Sequence, residues 1–369
     1  MFSVREQRTL KKVGRKCVSR EKKLYLCGKN HNMSIWEKIE KLIQTYETLG
    51  IGQQVDYDKF YLYSLITHST AIEGSTITEV ENQLLFDEGL TSKGKNINEY
   101  LMNLDLKAAY ETSISMAKAR TEITTEWLKK MAALVMKSTG STYKTALGEF
   151  SSTNGDLRLV NVSAGIGGAS YMDFHKVPNR LQNFCNTLND KRKNISKEDK
   201  KSQYELSFDA HYELVTIHPW VDGNGRMARL LMNHLQFEYG LIPTKILKED
   251  KSEYIQALID TRRDENLQIF RDFMFKTLRK NLQQDIQSFV ESQNEVGRKS
   301  SRSREKNKNS REKILELLRE NPKLTTAGLA QAVGISSKGV EKQLAHLKRE
   351  GLLRRIGPDK GGHWEVVGL

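Results

Sequence analysis

Proline is scarce in this chain. There are five in 369 residues, and none falls between residues 33 and 150, so helices there meet no built-in breaker. Cysteine is scarcer still, at Cys17, Cys27 and Cys185. Three cannot frame a disulfide scaffold, and no charged-then-apolar signal segment opens the chain, so a reducing cytoplasm is the expected setting. The spacing of Cys17, Cys27 and His31 fits no common zinc pattern. No apolar run approaches the ~18–20 residues of a membrane helix, so no membrane partner is expected. Glycine and proline are too few for a collagen-like or wholly disordered chain.

What is abundant is positive charge, and it is placed at the ends. Residues 1–32 hold ten Lys or Arg against two Glu, and residues 297–311 seven against one. Residues 312–369 hold ten against seven, which leaves the long middle mildly acidic. The basic balance therefore says nothing about the partner of the middle. Affinity for polyanions belongs to the ends.

Residues 1–32 lack any sustained period and read as a disordered leader, with Met33 a candidate start of order. Ser34-Ile35-Trp36-Glu37 is a capping box, followed by an apolar stripe at Ile35, Ile39, Leu42 and Ile43. Helical spacing continues to about residue 150, with an N-terminal helical region over 33–120 and a core domain over 121–293. Residues 157–175 break the pattern, and two β-prone runs flanking Gly165, Gly167 and Gly168 predict a hairpin. No helix follows these glycines, so a phosphate loop is disfavoured. Helical spacing resumes at Pro178, with interruptions near 219–224 and 240–250. Residues 294–311 are polar and basic and read as a linker. Residues 312–369 have a core of their own.

The informative segment is His218-Pro219-Trp220-Val221-Asp222-Gly223-Asn224-Gly225-Arg226-Met227-Ala228-Arg229. Pro219 ends one helix, and a second begins at the Gly-Asn-Gly. The first-turn amides of a helix lack intrahelical partners and, with the helix dipole, form an anion cradle. Gly223 and Gly225 let backbone approach a phosphate, and Arg226 and Arg229, three apart, share a face from which both reach its outer oxygens. Asp222 offers a hard oxygen to Mg²⁺, and His218 is suited to accept a proton near neutrality. Together these parts predict in-line attack of a hydroxyl on a phosphate of a nucleoside triphosphate.

The segment resembles the signature of the Fic family, H-x-F-x-[D/E]-G-N-G-R-x-x-R, except that Trp220 stands where Phe is usual. The resemblance implies a mainly α Fic (fido) core with a β-hairpin flap at 157–175, and transfer of AMP from ATP, with Mg²⁺, to a hydroxyl of a target protein. The chain itself is a further acceptor. It also implies that Tyr254 lies near the adenine. Ser69-Thr70-Ala71-Ile72-Glu73-Gly74 is similar to the family's inhibitory motif. There Glu73 pairs with Arg229 and crowds the γ-phosphate.

In residues 312–369, Ile314, Leu317 and Leu318 mark one helix and Ala327–Val333 a second. Gly334-Ile335-Ser336 turns into a third, and Leu352–Trp364 reads as a hairpin. This resembles a winged helix-turn-helix of the bacterial regulator type. Ser336, Ser337, Lys338, Lys342 and Gln343 would face DNA, and Arg354, Arg355 and Lys360 would touch phosphates. Such domains also bind proteins, so a second copy of the chain is an alternative partner. The expectation is an autoinhibited adenylyltransferase with an appended winged helix. The alternative is a DNA-binding regulator whose core senses nucleotide.

Overall fold

The computed structural model describes residues 33–164, 170–358 and 361–367, without the side chains of 295–306. The leader with its two cysteines, the hairpin glycines 165, 167 and 168, and Lys360 lie outside the described residues. The chain divides after Ile286 into two compact units.

The first unit is helical, and five of its helices begin at a short polar side chain that caps them. Helix α1 (Ile35–Thr48) opens with the expected box. Ser34 Oγ accepts from Glu37 N at 3.2 Å, and the Glu37 carboxylate accepts from Ser34 N at 2.7 Å. Helix α2 (Tyr57–Ile72) follows, then α3 (Glu79–Glu88), which carries a second box built on Thr78 and Glu81. Helices α4 (Ile97–Lys118) and α5 (Thr125–Val135) lead to a hairpin, β1 (Thr142–Thr145) and β2 (Gly148–Ser151). Beyond it come α6 (Val177–Asn194), α7 (Lys200–Ile217), α8 (Asn224–Glu238) and α9 (Lys251–Arg263). The last helix, α10 (Leu267–Glu320), enters the second unit.

Helix α8 is the axis of this bundle, and every residue from Arg226 to Gln236 is buried. Its Met227, Leu230 and Leu231 join Leu106 and Tyr110 of α4, Leu128 and Met131 of α5, and Leu214 and Ile217 of α7 in one core. Polar side chains at this depth need partners. Asn233 accepts from the Tyr110 hydroxyl at 2.7 Å, and the Gln236 amide donates to Ser207 Oγ at 3.0 Å.

Three local expectations change. The hairpin at 142–151 falls inside a stretch expected to be helical. Its register pairs Tyr143 with Phe150, and the two rings stack at 5.1 Å, a cross-strand contact that helical spacing does not reveal. In 157–175 the described residues hold one bridge, Ser163 to Ser170, rather than two strands. Residues 294–311 lie within α10. They lack an apolar stripe, but they also lack proline and are rich in Lys and Arg, which suit a helix.

The second unit contains α11 (Thr326–Val333), α12 (Ser337–Arg349) and an antiparallel pair, β3 (Leu353–Ile356) and β4 (His363–Val366). Ile314, Leu318, Leu329, Val340, Leu344, Leu347 and Leu353 form its separate core. Among the described residues no helix is long and apolar enough to cross a membrane.

Candidate active site

The loop between α7 and α8 carries the motif. Helix α7 ends at Ile217, and His218 takes the left-handed conformation with φ 51°, uncommon for a residue with a side chain. Gly223 caps α8 at φ 82° and gives it no side-chain cap, so no capping side chain takes its first-turn amides. Between them the loop is braced from within. Asn224 Nδ2 donates to the Trp220 carbonyl at 2.9 Å, and Trp220 Nε1 donates to the Gly155 carbonyl at 3.1 Å. Trp220, where the signature has Phe, is fully buried.

His218 Nδ1 lies 3.3 Å from the Val215 carbonyl. That oxygen can only accept, so the proton sits on Nδ1 and Nε2 keeps its lone pair. Burial pushes the imidazole down to about 4, against the Val215 contact, with the Arg158 and Arg262 charges adding to the fall. The ring is therefore a free base throughout the neutral range.

Arg229 is buried and closely held. Its Nε donates to Ser69 Oγ at 2.8 Å, and Nη2 donates to the Ser69 carbonyl at 3.0 Å and to Glu73 Oε1 at 2.5 Å. Glu73 is the C-cap of α2, and Gly74 follows at φ 107°. Burial pushes the Glu73 carboxyl up, but the Arg229 guanidinium outweighs it and holds the group below the usual carboxylate range. The same carboxylate lies over the first turn of α8. A Cβ placed on Gly225 would sit 2.6 Å from Glu73 Oε1. The absent side chain at 225 thus makes the space that Glu73 fills.

The two arginines part company. Arg226, expected to serve the same ligand as Arg229, turns to the C-terminal end of α5. There its Nη1 donates to the Val135 carbonyl at 3.4 Å, and Nη2 lies 3.0 Å from Met136 Sδ. The carbonyl-rich end of a helix attracts a cation, which one-face spacing does not take into account. Its Nε is buried without a partner. Asp222, 3.7 Å from Arg226, is largely exposed, and its Oδ1 accepts from Gly223 N at 2.6 Å. No cluster of three metal-ligating side chains occurs among the described residues. A single exposed carboxylate suits a hard cation that draws its other ligands from phosphates and water. Tyr254, expected beside the adenine, is 3% exposed. Its hydroxyl meets His211 Nε2 at 3.1 Å, and its ring lies among His211, Phe270 and Phe273.

Two residues gave no signal in the sequence. Arg158 is fully buried, and its Nε donates to the His218 carbonyl at 2.8 Å. Nη1 reaches the Val160 carbonyl at 2.8 Å and Nη2 the Met172 carbonyl. Arg158 so ties both sides of the 157–175 segment to the motif loop. Tyr171 lies flat on His218.

In the second unit Ser336 caps α12, its Oγ accepting from Gly339 N at 3.1 Å, and Ser337, Lys338 and Lys342 are exposed. Gln343 is half-buried and donates to Asn307 Oδ1. Arg354 pairs with Glu365 at 2.6 Å, and the Arg355 guanidinium lies 4.9 Å from the Trp364 ring centroid.

The first unit is thus a helical bundle whose central helix opens on a glycine turn with no side-chain cap, beside the imidazole of His218. Residues 122–236 match the model of the Fic/DOC family, and residues 308–354 match that of winged helix-turn-helix DNA-binding domains. The chain thus carries a Fic domain and a C-terminal winged helix-turn-helix. It is 29% identical over 230 residues to protein adenylyltransferase Fic of Drosophila grimshawi, covering 61% of this chain and 43% of that protein. It is 26% identical over 203 residues to protein adenylyltransferase fic-1 of Caenorhabditis elegans, covering 54% and 36%. The chain therefore spans less than half the length of these two relatives. Its fold is similar to that of a Fic domain-containing signaling protein from Bacteroides thetaiotaomicron. There the TM-score is 0.58 at 20% identity, over 69% of this chain and 98% of the other.

Proposed function

We propose that the chain is a protein adenylyltransferase held off by Glu73. ATP binds with its phosphates on the first turn of α8 and Arg229. The target's Ser, Thr or Tyr oxygen bonds to the α-phosphorus, the bond to the β-phosphate oxygen breaks, and pyrophosphate leaves. The hydroxyl proton passes to His218 Nε2. Asp222 would hold Mg²⁺, which supplies neutralisation of phosphate charge. The observation that carries this reading is the Glu73 carboxylate lying on Arg229 against Gly225, where the cradle and the guanidinium would otherwise take an anion. One guanidinium cannot serve Glu73 and a terminal phosphate equally well.

The test is transfer of label from α-³²P-ATP, with the chain alone and with a lysate. Glu73→Gly is expected to raise transfer, including onto the chain itself, by about tenfold or more, which corresponds to ~1.4 kcal/mol. Glu73→Gln keeps the bulk and is expected to activate less. Equal labelling by the parent and Glu73→Gly would overturn autoinhibition. A product mass other than that of added AMP would overturn the group transferred.

A second reading rests on the winged unit. Ser337, Lys338 and Lys342 are exposed around the start of α12, as a helix entering a major groove requires. A DNA-binding regulator that senses nucleotide through the Fic domain would bind ATP and transfer no label. A winged unit that pairs two copies of the chain would shift the sedimentation coefficient and show no DNA affinity.

A further inference from the structure

Among the described residues no carboxylate bonds to the imidazole of His218. Nδ1 meets the Val215 carbonyl at a long 3.3 Å, and Asp222 is engaged by Gly223 N. What lies against the ring is an aromatic face. Tyr171 stacks on it with centroids 3.7 Å apart and 16° between the planes. The Arg262 guanidinium is 5.0 Å from the Tyr171 ring centroid, a cation–π distance. Face-to-face stacking limits tilt of the imidazole and occupies a face of the ring rather than the edge that carries Nε2.

Tyr171 is itself fixed. Its N–H donates to the Val162 carbonyl at 3.0 Å. The next carbonyl, of Met172, accepts from the same Arg158 guanidinium that holds the His218 carbonyl. Arg158, Tyr171 and the imidazole are one connected unit.

We infer that Tyr171 is a positioning residue of the transfer reaction, its ring fixing the plane of the His218 imidazole in place of the carboxylate that orients the histidine of a triad. This rests on the adenylyltransfer reading. It makes the segment that carries Arg158 and Tyr171 part of the base, so displacement of that segment displaces the proton acceptor.

Among the described residues four groups besides the Val215 carbonyl act on this imidazole. They are the Tyr171 ring, Arg158 and, from α9, Arg262, both opposing a positive charge, and Asp222 from the loop, which favours one. Removing the ring admits water on one face and relieves part of the burial that holds the group near 4.

The experiment uses the full chain with Glu73→Gly as parent, and Tyr171→Ala and Tyr171→Phe upon it. NMR titration of His218, assigned by its loss in His218→Ala, is read beside kcat and the KM for ATP. Tyr171→Ala is expected to raise the His218 midpoint by about one pH unit or more and to lower kcat about tenfold or more. The KM for ATP stays within about twofold. Tyr171→Phe keeps the face and restores both values. If Tyr171→Ala unfolds early, Tyr171→Leu, which fills the space without an aromatic face, carries the same expectation. An unchanged midpoint and kcat in the alanine or leucine variant overturns the inference. So does a Tyr171→Phe as impaired as the alanine, since the hydroxyl would then be the working part. If the parent transfers no label, the adenylyltransfer reading fails, and the titration still decides whether the ring governs the imidazole.

Discussion

The first turns of α8 and α12 are opposite solutions to the same problem. Both helices leave amides unpaired at their N-termini. At α12 the sequence supplies Ser336, whose Oγ takes the Gly339 amide, and the turn lies in solvent. At α8 it supplies Gly223, which caps nothing, and the turn is buried under Glu73. A capped, exposed turn has its donors satisfied and presents side chains. An uncapped, enclosed one presents backbone, and its natural complement is an anion. One family of helix ends can thus serve two kinds of recognition in one chain, depending on a single cap.

The largest expected effect tests whether the α8 turn binds and His218 reacts. In the Glu73→Gly background, His218→Ala should cut transfer by about 10²–10⁴ while calorimetric ATP affinity stays near that of the parent. Loss of binding instead would place His218 in the cradle. Next comes Gly225→Ala. A methyl there would displace Glu73 Oε1 and stand where a phosphate is proposed to lie. Affinity for ATP should fall about tenfold or more. The melting temperature should hold within a few degrees, because a Glu side chain can move aside. An alanine variant that binds ATP normally would show that the turn is not the phosphate site.

The contrast also has a pH signature. His211 and His234, pushed down to about 3 by burial, and His218, at about 4, are all depressed below 6.5. The unfolded chain therefore binds more protons than the folded one between these values, and stability rises with pH there. It should be fully present above pH 6.5 and lost as pH falls through about 4 for His218 and about 3 for His211 and His234, which calorimetry across that interval would check. Glu73, also depressed, adds stability that is present above 4.5 and lost below its folded value. The acid limb of kcat/KM should lie nearer 4 than 6.5. The smallest effect belongs to α12. Ser336→Ala removes its cap and should cost about 1 kcal/mol, seen as a lower urea midpoint for a trimmed winged unit. If α12 reads DNA, Lys342→Glu should weaken binding to genomic fragments, and affinity should fall as salt rises.

Much of this geometry was legible because it is local. Ser34 with Glu37 sets a helix start by spacing alone, and Pro219 sets the end of α7 at Ile217. The motif loop is short, so sequence order nearly dictates neighbourhood. Long-range contacts carry no such mark. Arg158 sits in a Leu-Arg-Leu-Val run that gives no hint of three carbonyls, one of them sixty residues away. Tyr171 and His218 meet only because the bundle brings the 157–175 segment to the loop. Arg226 and Arg229 were placed together by spacing and separated by their partners, since a long side chain selects its contacts from the whole surroundings. The 142–151 hairpin is hidden for the same reason, its Tyr143 and Phe150 being neighbours across a turn.

Helix α8 is buried on every side. Amides of such a helix exchange with solvent only when the molecule opens as a whole, whereas those of exposed loops exchange through local fluctuation. The slowest-exchanging deuterons of the first unit should therefore map to α8, between Met227 and Leu235, beginning one turn from the cradle. A ligand arriving at that turn finds donors already fixed in place, and little ordering of backbone remains for it to impose.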